Sequence, residues 1–581
     1  MRKILFVVCL LVAFVAFATE FKVVDPMFTP ESKPNMGGTL TLRLAGSPQS
    51  WLFYGSLDNN AYTVCYNLFD PLIEANPVTN ELGPGLAKSW EVSDDGLEVT
   101  FHLRDVKWSD GVPLTADDVI FTFENFVMNK YARGNSIDRF TLKGETIRWV
   151  KVDDKTLVAE LPYPYGAFFF VTSHVLIYPK HVVAPLINLS DPDSVNKALT
   201  TDTPVNKIVG TGAFVLSQYV VDQKVVLKKN PSGWKKDQYG NQLPYVDELV
   251  YLIVKDAEVN VAKFLAGEID YMTLNARDYS NFKIKEREGA PIKVFKALPT
   301  GNTPSPVHIA INFDNKDPEL KALFRNDAFR FALEYALDRD RIIDQVFNTL
   351  ATYGDSVYPT NAMWYSKYVD KLRRPYDLEK AEAILDELGL VDKNKDGWRE
   401  FPSGKVLEFT IIMNNASKSE QDIALIYQED LKTLGVKLNT QPLDSSIRSQ
   451  KATGGDFDLC IWAFGTQPDP QLRKAIWQPG GSLYYWHLSL FNKDNPDAPF
   501  MEDMTSWETV LWYVWEKAAL EMDLARRQHL YYIYQDIYAE MLPVIFVVRE
   551  MDVRAGSNKL GNMYQTEAGS FVFTNYSVFK K

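Results

Sequence analysis

The chain has 581 residues, more than a single hydrophobic core of about 250 to 300 residues accommodates, so at least two cores are expected. Its net charge of −13 argues against nucleic acid or an anionic membrane surface as a partner and favours solubility. Of three cysteines, Cys65 and Cys460 lie far apart inside apolar segments and are expected as buried free thiols rather than a disulfide.

Met1, Arg2 and Lys3 form a short basic segment, Ile4 to Phe17 an apolar one, and Ala16-Phe17-Ala18 a small-x-small site that predicts cleavage before Thr19. Residues 1–18 are therefore read as a signal peptide, whose removal takes away Arg2 and Lys3 and moves the charge from −13 to −15. Cys9 sits in the middle of the apolar run without small residues before it, so it belongs to the discarded peptide and not to a lipid anchor. No later run approaches the roughly 20 apolar residues that span a bilayer. The expected product is exported to the periplasm or the extracellular space without a membrane anchor.

Gly38 to Leu44 alternates like a strand, and a loop carrying Trp51, Phe53 and Tyr54 leads into a helix ending at Tyr66-Asn67-Leu68-Phe69-Asp70. From Leu86 to Glu124 the order is a buried Trp90, an Asp94-Asp95-Gly96 turn, the strand Val99-Phe101-Leu103, a Ser109-Asp110-Gly111 turn and a helix capped by Thr115 with Asp118 three residues on. An aromatic run, Phe168 to Tyr178, follows. Strands are expected after Gly210-Thr211-Gly212 and after Tyr245-Val246-Asp247, then a helix ending at Gly267. In the second half, apolar residues at 320, 323, 324, 328, 331, 332 and 335 predict one continuous amphipathic helix. Asp377 caps a helix closed by Gly389, a second helix precedes Gly435, and Leu542 to Val548 reads as a late buried strand.

The ordered string LAKSWEVSDDGLEVTFHLRDVKWSDGVPLTADDVIFTFE, together with the later Phe324-Arg325, Phe329-Arg330-Phe331-Ala332-Leu333 and Ala336-Leu337-Asp338-Arg339, resembles the family 5 extracellular solute-binding proteins of ABC importers. This resemblance spans nearly the whole mature chain. It implies an α/β fold of two lobes around a cleft, type II-like, with an extra inserted domain. By that analogy residues 37–75, 204–304 and 548–581 form domain I, 76–203 the extra domain II, and 305–547 domain III, the second lobe. The crossings near 304 and 548 would be the hinge. The implied partners are a small oligomeric ligand (peptide, oligosaccharide or nickel across the family) and the transmembrane permease subunits of the importer. The receptor itself is expected as a monomer.

Catalytic readings find little support. Six histidines, at 102, 174, 181, 308, 487 and 529, form no H-E-x-x-H or closely spaced metal pair, and there is no nucleophile elbow, P-loop or dinucleotide fingerprint. An enzyme is not expected. A secreted carbohydrate hydrolase or a non-transport envelope protein are the readings outside the receptor class. Asp392-Lys393-Asn394-Lys395-Asp396-Gly397 matches the first six positions of an EF-hand loop, with Asp392, Asn394 and Asp396 as oxygen donors for calcium. Position 12 is Ser403 and not the bidentate Glu, and Pro402 stands beside it, so a metal-free hairpin is the alternative. No other cofactor is expected.

Candidate ligand-binding residues cluster in the second half. Trp462 and the segment from Ala463 to Pro470 resemble the family's cleft loop, where peptide-binding relatives carry an Asp that accepts the ligand's α-ammonium group. Matching backwards from Pro468-Asp469-Pro470 places Thr466 at that position. A threonine leaves a buried ammonium without a counter-charge, at a cost of several kcal/mol. Thr466 and Gln467 instead offer neutral donors and acceptors suited to hydroxyls. Peptide binding would need another anchor, such as Asp469. Trp51, Trp462, Trp477 and Trp486 near expected cleft loops are candidate platforms for sugar rings, with core packing as the alternative for each. Asn312 and Asn414, each following a strand, are further polar candidates, with turn formation and helix capping as their alternative roles. Together these residues favour an oligosaccharide over an oligopeptide.

Overall fold

The computed structural model describes residues 33–581 except 56–57, 76–80, 135, 189, 238, 299–304, 361, 465–466, 468, 494, 496–497, 566–570 and 573. The signal-peptide expectation thus lies outside the described residues, as do Thr466 and most of the first proposed hinge crossing. No described helix is long and apolar enough to cross a membrane.

The first lobe is built on the sheet Thr39–Leu44, Glu248–Ile253, Lys224–Lys229, Phe214–Val220, in that spatial order. Thr39–Leu44 alternates half-buried and buried residues, as a strand with one covered face must. It runs parallel to Glu248–Ile253, a pairing that brings together residues more than 200 apart in sequence. A three-stranded sheet, Tyr271–Thr273, Asp552–Ser557, Ile292–Ala297, completes this lobe.

Between these first-lobe strands the chain forms an antiparallel sheet ordered Ala87–Val92, Glu98–Leu103, Thr156–Glu160, Arg148–Lys151. Val99, Phe101 and Leu103 alternate into its core. Thr115 and Asp118 form the reciprocal cap of Ala116–Thr122. Trp90 is only half-buried, against Phe101 and Phe169. The fully buried tryptophan of this unit is Trp108, whose Nε1 donates to the Asp118 carboxylate at 3.4 Å, so one aspartate ties cap and core together.

The second lobe carries a six-stranded sheet: Ala351–Tyr353, Val544–Glu550, Pro306–Ile311, Leu459–Ala463, Glu408–Asn414, Lys437–Leu443. Val544–Glu550 is a nearly unbroken apolar run because it lies inside the sheet with both faces covered. Glu408–Asn414 and Lys437–Leu443 are parallel, and the helix Lys418–Thr433 makes the crossover such a pair requires. Val544–Glu550 remains in this sheet while Asp552–Ser557 already belongs to the first lobe, so the chain crosses back at Met551.

The helix expected continuously from Leu320 is interrupted. Pro318–Phe324 ends at Arg325, and Asp327–Tyr335 starts anew with Asn326 as its cap, accepting from the backbone N–H of Ala328 at 2.9 Å. The restart shifts the buried face to Phe329, Ala332 and Leu333, leaving 328, 331 and 335 half-buried. A side chain that captures backbone donors outcompetes apolar periodicity here. Cys65 and Cys460 are buried and free, and burial pushes the Cys65 thiol up to about 12.

Candidate ligand cleft

In a sheet with parallel strands, ligands gather beyond the carboxyl ends of those strands. In the second lobe this edge is defined by Asn414, Leu443 and Ala463, since Ile411 pairs with Leu459 and Asn414 with Leu443 in parallel register. Trp462 is half-buried at this edge. The Arg448 guanidinium lies 4.9 Å from its ring centroid, and Phe464 and Tyr485 pack at 4.7 and 5.3 Å. Arg448 is buried and ion-paired to Glu420 at 2.9 Å, yet its Nε has no hydrogen-bond partner among the described residues. Gln467 is half-buried nearby in sequence. Asn414 sits at the same edge with its Oδ1 accepting from the Ala416 N–H at 3.0 Å, a turn-forming role.

Asn312 lies at the opposite edge. Its strand runs antiparallel to Leu459–Ala463, with Val307 against Ala463 and Ile311 against Leu459. There Asn312 is buried and donates to the carbonyls of Gly455 (3.1 Å) and Phe457 (2.7 Å), which corrects its placement among ligand contacts. Trp51 and Trp486 are likewise packed and not offered to a ligand. Both are 0% exposed, Trp51 edge-on to Tyr219 at 5.1 Å and Trp486 among Trp477, Tyr484 and Tyr538. Trp477 belongs to that same core.

Asp469 is also removed from ligand reach. It is 0% exposed and forms a two-pronged ion pair with Arg527, one arm at 2.8 Å and the other to Nη1, while accepting from the Gln471 N–H at 2.8 Å. Three of its roughly four acceptor sites, and its charge, are engaged inside the second lobe. It therefore cannot serve as the substitute ammonium anchor.

The first lobe carries a second group of aromatic rings that are partly open to solvent. On the helix Asn59–Leu68, Tyr62 and Tyr66 stand one turn apart on one face, with Phe53 stacked on Tyr62 at 4.3 Å and edge-on to Tyr66 at 5.5 Å. Tyr66 is 49% exposed, yet desolvation pushes its phenol up to about 12. The charge of Arg139, in the extra domain, acts against that rise at both Tyr62 and Tyr66. These residues were not singled out in the sequence, although the Tyr62/Tyr66 spacing of four was the available signal.

The extra domain touches the second lobe. Gly166 N–H donates to the Ala519 carbonyl at 2.9 Å, Phe170 meets Trp364 with ring centroids 6.4 Å apart, and Leu472 enters the hydrophobic core shared by the first lobe and the extra domain. The structure is thus a closed arrangement. A separate space of about 10 Å³ lined by Glu334, Arg339, Asp355 and Arg373 lies within the second lobe and has room for little more than a water.

The Asp392 loop brings carboxylate oxygens of Asp392, Asp396 and Glu400 within 4.8 Å of one another. Glu400, not Ser403, supplies the third carboxylate. These oxygens and Asn394 Oδ1 already accept backbone N–H groups of Lys393, Asp396, Gly397 and Trp398 at 2.7 to 3.2 Å. That closure, with the bridge between Val391 and Glu400, supports the hairpin reading.

Residues 81–480 match the family model described as bacterial extracellular solute-binding proteins, family 5 Middle. A probable ABC transporter-binding protein of Deinococcus radiodurans is 30% identical over 524 residues, covering 88% of this chain and 82% of that one. The periplasmic alpha-galactoside-binding protein of Rhizobium meliloti is 28% identical over 502 residues, 79% of this chain and 69% of its own. The oligopeptide-binding protein AppA of Bacillus subtilis is 28% identical over 510 residues, 84% and 85% of the two chains. Its solved complex with a nonapeptide superimposes with a TM-score of 0.69 at 24% identity, covering 94% of this chain and all of that one. This chain belongs to the family 5 bacterial extracellular solute-binding proteins, the non-enzymatic two-lobed receptors that serve ABC importers.

Proposed function

We propose that this receptor is exported by cleavage after Ala18, captures a short oligosaccharide between its lobes, and presents the closed form to its permease. The observation that carries the sugar reading is the fate of Asp469, whose charge is fully committed to Arg527. Thr466 stands in sequence where an ammonium-binding Asp would be expected, and Glu420 is paired to Arg448. The cleft wall then offers half-exposed aromatic rings, Trp462, Tyr62 and Tyr66, and neutral groups such as Gln467. That set suits rings with hydroxyls better than a charged amine. The Rhizobium relative, named for alpha-galactoside binding, agrees with this reading.

Ligand touching both walls would favour the closed form by its differential affinity for it, with motion where the chain enters Pro306–Ile311 and where it leaves Val544–Glu550. A peptide reading is favoured by the equally similar Bacillus relative, named for oligopeptides. A thermal-shift screen separates the two: ligand at 100 times its dissociation constant stabilises by about 2.7 kcal/mol. Stabilisation by α- or β-linked oligosaccharides, reduced in Trp462→Ala, is the expected result. Stabilisation by free-amine peptides alone would replace it.

A further inference from the structure

We infer that Arg448 is a positioning residue for Trp462: anchored on Glu420, its guanidinium holds the indole in the orientation that the ligand meets. This rests on the reading of Trp462 as part of the cleft wall and adds to it the group that sets the geometry of the ring.

Several elements meet at this guanidinium. Arg448 lies on the helix Ser445–Thr453, which follows the strand Lys437–Leu443. Its Nη1 donates to both carboxylate oxygens of Glu420, at 3.2 and 2.9 Å, and to the Ile461 carbonyl at 3.3 Å. Glu420, in the first turn of Lys418–Thr433, itself accepts from the Asn414 N–H at 2.8 Å. One ion pair therefore ties the carboxyl ends of the parallel strands Glu408–Asn414 and Leu459–Ala463 to the helix that leaves Lys437–Leu443. Ile461 directly precedes Trp462, so the bond to its carbonyl also steadies the backbone from which the indole projects.

Stability alone does not account for a charge pair in this place. Well-packed apolar residues often hold such a junction equally well, because burying charge opposes folding. Burial raises the Glu420 carboxyl even against the pull of Arg448. The buried Arg448 Nε, without a hydrogen-bond partner among the described residues, adds to the cost. What the arrangement gains is a flat, delocalised cation against an indole, with the guanidinium carbon 4.9 Å from the ring centroid. Phe464 and Tyr485 close on the same ring at 4.7 and 5.3 Å, and Trp462 stays half-buried with all of them in place. A ring held in the free protein has less side-chain freedom to lose when a ligand arrives. Arg448 itself is 6% exposed and its charge is given to Glu420, so it acts through the ring and not on the ligand.

Two variants separate planarity from charge. Arg448→Lys keeps a cation for Glu420 but lacks the flat face, and Arg448→Met with Glu420→Gln removes both charges so that neither is stranded. Protein labelled with fluorotryptophan gives a fluorine resonance for Trp462, identified by its disappearance in Trp462→Phe. Titration calorimetry with a neutral α-linked galactose oligosaccharide as probe gives the affinity. The expected result is a broadened Trp462 resonance in both variants without ligand, and about tenfold weaker binding of the probe. In a Trp462→Ala background the same substitutions should change the affinity by less than about twofold, because the ring they act on is gone. An unchanged Trp462 line width, or equal losses of affinity with and without the ring, overturns the positioning role and leaves the receptor reading intact. Equal binding of the probe by wild type and Trp462→Ala defeats the reading of Trp462 as wall and the inference with it. A wild type that binds only a free-amine peptide defeats the sugar reading alone, and the same comparison of backgrounds is then decided with that peptide.

Discussion

Replacing Gly166 by alanine tests the closed arrangement at one atom. The backbone of Gly166 is outside the left-handed region, so alanine adds no conformational strain. The added Cβ would lie 2.0 Å from the Glu521 carbonyl oxygen and 2.8 Å from Arg527 Cδ. Contacts under about 3 Å are not tolerated, and backbone cannot swing aside as a flexible side chain does, so the extra domain must withdraw from the second lobe by about 1 Å. Withdrawal sacrifices the 2.9 Å hydrogen bond from Gly166 to Ala519 and loosens packing around Leu472. One such bond with its local packing is worth about 1 to 3 kcal/mol, which is roughly a 5- to 150-fold loss of ligand affinity if closure is required for tight binding. Titration calorimetry gives the affinity and small-angle scattering with saturating ligand gives the extent of closure. Wild-type affinity together with wild-type compaction in Gly166→Ala would refute the reasoning.

Other consequences follow from buried charge. His308 is fully buried, its Nε2 2.9 Å from the Tyr485 hydroxyl, and desolvation lowers it to about 4. A histidine held neutral in the fold contributes stability that is fully present above its unfolded value near 6.5 and is lost as pH falls toward 4. The loss is about 3 kcal/mol, and denaturant melts at pH 7 and pH 4.5 should differ less in His308→Gln than in wild type. Arg527→Met strands Asp469 in a dry site and should cost about 3 to 5 kcal/mol in urea unfolding, with much of it restored in Arg527→Met/Asp469→Leu; an unchanged midpoint in the single variant would contradict the buried pair. The self-closed Asp392 loop predicts that EDTA shifts the melting temperature by less than about 1 °C, whereas a calcium-dependent rise abolished in Asp392→Asn would assign an ion there.

The parts of the fold that local chemistry dictates were legible. Thr115 with Asp118, Asp377 before Leu378 and the glycines at 267, 389 and 435, all with positive φ, mark helix ends through backbone groups only a few residues away. The cleft was less so, because its walls are made by pairings far apart in sequence. Asn312 and Asn414 look alike as residues following apolar strands, and only antiparallel against parallel register separates them to opposite edges. Asp469 reads as a free loop carboxylate until Arg527, 58 residues away, is folded onto it. Trp51 and Trp486 share their composition with Trp462, and burial alone distinguishes core from wall. Tyr66 stands out only by its spacing of four from Tyr62, since a cleft between separate bodies has no sequence pattern of its own.

The most direct test of the central claim is isothermal titration of the mature protein with matched neutral oligosaccharides and with free-amine and N-blocked peptides. Saturable binding of an oligosaccharide, with no binding of free-amine peptides, is the predicted result. Tight binding of a free-amine peptide, weakened by blocking its amine and accompanied by no response to any sugar, would contradict the account.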